Sequence, residues 1–245
     1  MSEVHLHGVV TASARGAVES AGARAIVHGA LAAVASDVEP GQTRAAELMR
    51  RHWRVLEALA LQTSVVPVRF GTAMPDEQAV VDEFLVPRHD ALAGQLAALE
   101  GKVQVTVKGT YDEQALMRSI VEGSPAVARL RERVRSLPEA AARNERIRLG
   151  ELVAAEVARA RERDAAWLLE RLEGLALATS RESAGGIDGA VNAAFLVERD
   201  RLPAFGDAVG AAAEQLAGRV TLRYLGPLPP YSFASEQAEG TPAWA

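Results

Sequence analysis

Hydrophobic positions along this chain alternate between a two-residue and a three-to-four-residue period, and each switch of period marks an element. VHLHGVV (4–10) ends in β-branched residues and predicts a strand, whereas TASARGAVESAGA (11–23) is small and polar and predicts a loop. ARAIVHGALAAVASDV (23–38) predicts two short strands turning at His28-Gly29. From Thr43 to Leu61 the apolar stripe runs through Ala45, Leu48, Met49, His52, Trp53, Leu56 and Leu59. Those steps of three and four predict an amphipathic helix with Arg44, Arg50, Arg51 and Arg54 toward solvent. VVPVRF (65–70) predicts a strand, and Pro67, which lacks an N–H, places it at an edge or a bulge.

Pro75-Asp76 opens a helix expected to run to Leu99 with an interruption at Pro87, and Gly101 stops it. KVQVTVKGTY (102–111) alternates Val103, Val105 and Val107 with polar neighbours and predicts a half-buried strand. Asp112 caps a short helix to about Val121, and Ser124-Pro125 opens another. A long helix follows over Glu145–Glu173, then strands at 175–180 and 190–198 around the glycine-rich SAGGIDG, a helix over 200–218 and a last strand at 220–225. From residue 102 the order is that of a ferredoxin-like βαββαβ unit with inserted helices. Residues 4–70 repeat the order with the first helix reduced to a loop. The expected fold class is therefore α+β: an N-terminal α+β domain over 1–100 and a modified ferredoxin-like domain over 101–225. A proline-aromatic tail, 226–245, is expected to dock on the body.

Composition narrows the classes. With 245 residues and 49% hydrophobic content, roughly 70% of the open chain's surface can be buried, ample for a core. No apolar run reaches the ~18 residues of a membrane span, and MSEVHLHGVV has no basic flank or apolar stretch of a secretory signal, so a cytoplasmic protein is expected. The absence of cysteine excludes disulfides and thiolate chemistry. A net charge of −5 with interspersed signs argues against nucleic acid as a main partner.

Candidate chemistry is sparse. His5 and His7 fall on one strand face, a geometry that can hold a metal only with further ligands. No HExxH and no G-x-S-x-G is present, and SAGGIDG joins two strands, so no helix N-terminus is set up for phosphate. The pairs Glu132/Glu139 and Glu170/Glu173 sit among arginines and read as solvated ion-pair faces. No catalytic residue, cofactor or small-molecule substrate is expected.

VVPVRFGT (65–72), VNAAFLVERDRLPAF (191–205) and YLGPLPPYSF (224–233), in this order and spacing, resemble the gas vesicle protein GvpF/GvpL family across essentially the whole chain. Leu228 stands where the family often carries tryptophan. The resemblance implies a non-enzymatic minor component of gas vesicles, located at the vesicle in the cytoplasm. It further implies a role in nucleating or assisting assembly of the hydrophobic shell protein GvpA and contacts with other accessory vesicle proteins. Two alternatives remain open: a small-ligand-binding ferredoxin-like regulatory module, and a metal-dependent enzyme built on His5 and His7.

The motif residues carry their own expectations. Pro227, Pro229 and Pro230 stiffen the backbone, so ordering the segment costs little entropy, and Tyr231 and Phe233 supply large anchors. The expected dock is the protein's own body. Arg69, Phe70 and Gly71 end a strand; Phe70 is expected in the core, with Arg69 either in a local ion pair or on a partner surface.

Overall fold

The computed structural model describes residues 3–38, 44–139, 141–186 and 188–234. Thr43, Ile187 of SAGGIDG and residues 235–245 of the tail lie outside them. The architecture is α+β. Its first half runs β1 (Glu3–Thr11), a 3-10 turn (Ala12–Ala14), α1 (Arg15–Ser20), β2 (Arg24–His28), β3 (Leu31–Val38), α2 (Ala45–Gln62) and β4 (Val66–Pro67). These strands form an antiparallel sheet in the order β2-β3-β1-β4, and a short β5 (Ala73–Met74) pairs with β1.

The polar stretch 11–23 is not all loop. It contains the 3-10 turn and one six-residue helix, anchored by the buried Val18 alone. One anchor leaves no period to read. In VVPVRF only Val66–Pro67 is strand; Val68 N–H still donates to the His7 carbonyl (2.9 Å), after which the chain turns.

A β-bulge at His7, between Leu6 and Gly8, shifts the register of β1 against β3. Simple alternation would place Val10 with Val4 and Leu6. The inserted residue reverses the phase, so Val4, Leu6 and Val9 join one core cluster while Val10 joins another, with Val55, Leu56 and Leu59 of α2. The first cluster is covered by α3 (Glu77–Ala79), a π-helical stretch (Val80–Leu85) and α4 (Val86–Ala98). Asp76 caps this run by accepting from Ala79 N–H at 2.8 Å. Pro87 does not break it. Its missing N–H would leave the Glu83 carbonyl without its intrahelical donor, and Arg88 Nη1 donates to that oxygen at 2.9 Å.

The second half comprises β6 (Lys102–Tyr111), α5 (Glu113–Gly123), α6 (Pro125–Ser136), α7 (Arg143–Leu172), β7 (Ala178–Arg181), β8 (Gly189–Glu198), α8 (Leu202–Leu216), β9 (Val220–Leu228) and α9 (Tyr231–Ala234). Its sheet order is β7-β8-β6-β9, so counted within each half both sheets read second, third, first, fourth strand. Bonds from Arg199 N–H to Gly101 and from Tyr111 N–H to Asp188 run β6 and β8 antiparallel. The strand expected at 175–180 starts late, because the end of α7 tightens into a 3-10 turn (Glu173–Leu175). The 30 residues of α7 span about 45 Å, and its Leu149, Leu152, Val153 and Val157 are covered by Leu116 and Ile120 of α5 and Val127 of α6. Contacts divide the chain into two compact units: residues 1–105 with 195–202 and 225–245, and residues 106–194 with 203–224.

Candidate functional site

Four segments of the first unit converge: the bulged centre of β1, the middle of α2, the turn after β4 and the proline-aromatic segment. The bulge turns His7 inward, where it is 3% exposed, and α2 presents the equally buried His52 to it. His7 Nδ1 lies 3.1 Å from His52 Nδ1, and His7 Nε2 lies 2.8 Å from Ser36 Oγ on β3. His52 Nε2 lies 2.7 Å from Tyr231 Oη, which donates to the Val68 carbonyl at 3.3 Å.

The groups form one line, Ser36 to His7 Nε2, His7 Nδ1 to His52 Nδ1 and His52 Nε2 to Tyr231, and one proton on each ring matches every nitrogen in it with a partner. Both imidazoles are neutral, and each ring nitrogen has one partner. Burial, followed by the charges of His52, Arg51 and His5, pulls His7 down to about 3. Burial, followed by the charge of His5, holds His52 below its ordinary value, and burial raises the Tyr231 phenol.

The tail continues the fit. Gly226 has φ +153°, and a Cβ there would lie 2.8 Å from Val105 Cγ1, a close approach that only glycine allows. The Gly226–Pro227 peptide is cis; Pro227 is half-buried, and Pro229 and Pro230 are buried. Tyr231 packs on the α2-side cluster and 5.1 Å, ring to ring, from Trp53. Ser232 N–H donates to Gln104 Oε1 at 3.0 Å, Phe233 N–H to the Pro230 carbonyl at 3.0 Å, and Ala234 packs on the other cluster. Phe233 itself is half-buried.

Phe70 is not a core residue. It is half-buried, set edge-on to His52 at 5.5 Å. Gly71, with φ +91°, lets the chain turn back so that Thr72 N–H and Oγ–H both donate to the Arg69 carbonyl. The Arg69 side chain is exposed and has no ion pair among the described residues. His5, His7, His52, Arg51, Phe70 and Gly71 line one small cavity. Among the described residues no three His, Asp or Glu side chains are placed to share a metal ion, and both nitrogens of His7 are engaged within the protein.

Sequence reasoning found the motif residues but not the buried imidazole pair that joins them. The only signal was His52 inside an apolar helical stripe. Arg199, within VNAAFLVERDRLPAF, was also missed: its guanidinium donates to the Ala60, Leu61 and Thr63 carbonyls that end α2, at 2.6, 3.2 and 3.0 Å.

The family model for gas vesicle synthesis protein GvpL/GvpF matches residues 4–235. The chain belongs to that family. Gas vesicle protein F of Streptomyces sp. (strain CB03234) is 35% identical over 213 residues, covering 86% of this chain and 87% of that protein. Gas vesicle protein F of Microcystis aeruginosa (strain PCC 7806) is 27% identical over 75% of each chain. The fold matches the crystal structures of GvpF from Anabaena sp. PCC7120 and from Microcystis aeruginosa. Their TM-scores are 0.78 and 0.74, identities 20% and 21%, and coverage 96% and 95% of this chain and 98% of each of theirs. The three stretches that carry the family resemblance have three physical uses here: a turn beside the imidazole pair, a cap on the end of α2, and an anchored tail. Among the described residues no helix is long and apolar enough to cross a membrane.

Proposed function

We propose that this chain is an accessory protein of gas vesicles that helps nucleate and assemble the vesicle wall by binding the hydrophobic shell protein GvpA, and that it catalyses no reaction. The observation that carries this reading is an apolar ridge beside the anchored tail: Met49 and Trp53, one turn apart on α2, are 45% and 41% exposed. Trp53 lies 5.1 Å from Tyr231, ring to ring, with the planes tilted by 52°, and Phe70 is half-buried against His52 on the same helix. A wall subunit must expose apolar surface before it is incorporated, and such surface aggregates unless covered. An apolar ridge offers apolar contact, and the exposed Arg69 beside Phe70, without an ion pair among the described residues, offers one cation. It needs no reactive centre. The relatives' shared name, gas vesicle protein F, supports the setting, as does the family itself.

Co-expression with the shell protein tests it. The wild-type chain is expected to hold shell protein in the soluble fraction, and Trp53→Glu combined with Met49→Glu is expected to lose most of it while still folding cooperatively, with a melting temperature lowered by the lost Trp53–Tyr231 contact. Arg69→Ala is expected to weaken capture. Undiminished capture by the Met49/Trp53 variant would sink the reading.

A further inference from the structure

Two exposed surfaces of opposite charge, each centred on a bare aliphatic side chain, lie on different units of the chain. On the first unit, residues 76–90 carry Asp76, Glu77, Asp82, Glu83 and Asp90 against Arg88, five negative charges to one positive, net −4. Val86, 47% exposed, sits among them, with Asp82 four residues before it and Asp90 four residues after, both exposed. Glu77 is engaged by Arg24 at 2.7 Å, Asp82 accepts from Gln78 alone among the described residues, and Asp90 is fully exposed beside His89. The Glu83 carboxylate has no partner among the described residues.

On the second unit, residues 125–150 carry seven arginines, four on α6 and three on α7, against Glu132, Glu139 and Glu145, net +4. Ile147, 55% exposed, lies among the three on α7, one turn after Arg143. Arg133 pairs with Glu145, Arg135 with Glu132 and Arg146 with Glu139. Arg129, Arg131, Arg143 and Arg148 are exposed with no acidic partner among the described residues. The whole chain is net −5, so this basic surface is a local concentration against the general trend.

The geometry points to a second copy of this chain as the occupant: the acidic surface around Val86 of one copy docks on the basic surface around Ile147 of the next. The charges are opposite, with Asp82, Glu83 and Asp90 around Val86 against Arg143, Arg146 and Arg148 around Ile147, and each surface offers one aliphatic side chain inside a charged rim, the anatomy of a small protein interface. Glutamates woven among the arginines disfavour a polyphosphate chain, which would meet each of them. A lone isoleucine is too little apolar surface to insert in a bilayer. Because the two surfaces differ, the contact is heterologous. Each added copy leaves one free surface of each kind, so the product is a ring or an open chain. Two short helical faces bury less than the ~1,200 Å² of a stable interface, so the association is weak, reversible and salt-sensitive. It is independent of shell-protein binding, which uses α2.

Sedimentation velocity on the purified chain tests this at rising concentration, up to about 1 mM, where even weak specific contacts register. Raising salt from about 50 to 500 mM shortens the screening length from roughly 14 to 4 Å and should weaken association at least tenfold. Arg143→Glu with Arg148→Glu should abolish it, as should Glu83→Lys with Asp90→Lys. Mixing the two double variants should restore pairing, the intact acidic surface of one on the intact basic surface of the other. The wild-type salt series stands without any substitution, should a variant fold poorly. A chain that stays monomeric throughout overturns the inference, as does association indifferent to salt, association that survives both double variants, or a mixture that stays apart.

Discussion

Replacing Tyr231 by phenylalanine removes one oxygen and nothing else, which makes it the cleanest probe of how the tail is held. That oxygen lies 2.7 Å from His52 Nε2 and donates to Val68 at 3.3 Å. His52 is 2% exposed, so its Nε2 would lose this partner inside the core. A buried polar group stripped of its partner costs about 1–3 kcal/mol. In a domain of this size 1 kcal/mol moves the melting temperature by roughly 2–4 °C, so a fall of about 4–8 °C is expected for the middle of that range. Tyr231→Ala also loses the ring packed against Trp53 and should fall about twice as far. Differential scanning calorimetry gives the melting temperature. In a Trp167→Phe, Trp244→Phe background tryptophan emission reports on Trp53, whose indole sits 5.1 Å from the Tyr231 ring. Tyr231→Phe melting within a degree of wild type would refute the argued hydrogen-bond chain. Tyr231→Ala doing so would refute the docking of the tail altogether.

The imidazole pair also sets a pH dependence. His7 is pulled down to about 3 in the folded chain, against about 6.5 unfolded, so on acidification the unfolded state takes up the proton first. Its stability contribution is therefore complete above pH ~6.5 and is lost between about 6.5 and 3, at ~1.4 kcal/mol per pH unit. Unfolding free energies from urea titration at pH 7.5 and 5 should differ by about 2 kcal/mol, and a profile no flatter in His7→Gln would count against this origin. Arg199→Ala strips three carbonyls at the end of α2 of a charged donor and should cost about 2–3 kcal/mol by denaturant titration, with Arg199→Lys recovering less than half; an unchanged midpoint would contradict the cap. Gly226→Ala drives a methyl to 2.8 Å from Val105 Cγ1 and should destabilise by about 1–3 kcal/mol, with faster cleavage of the tail by added protease; equal cleavage rates would argue against the close approach.

Much of the α+β plan was legible along the chain. Val103, Val105 and Val107 announced β6, the three- and four-residue steps announced α2 and α7, and Asp112 and Ser124-Pro125 marked the starts of α5 and α6. The misses share a cause. The six-residue α1 has one buried anchor, and β4 has two residues, so neither is long enough to display a period. Met49 and Trp53 were read as part of the helical stripe, yet they lie at its margin and are exposed; Val55 and Ala60 are buried in their stead. The bulge at His7 could not be seen at all, because an inserted residue is defined only against the strand it faces.

By itself the sequence determined whatever depends on neighbours a few residues apart: the periods, the caps, the stiffness of Pro227 to Pro230, and the motifs that mark the family. Only the tertiary structure decided that His7, Ser36, His52, Val68 and Tyr231, spread over more than 220 positions, share one line of hydrogen bonds. Those contacts join residues 29 to 179 apart in the chain. Such distances leave no periodic trace, since only packing the sheet, α2 and the tail together brings the groups within the ~3 Å at which a hydrogen bond acts.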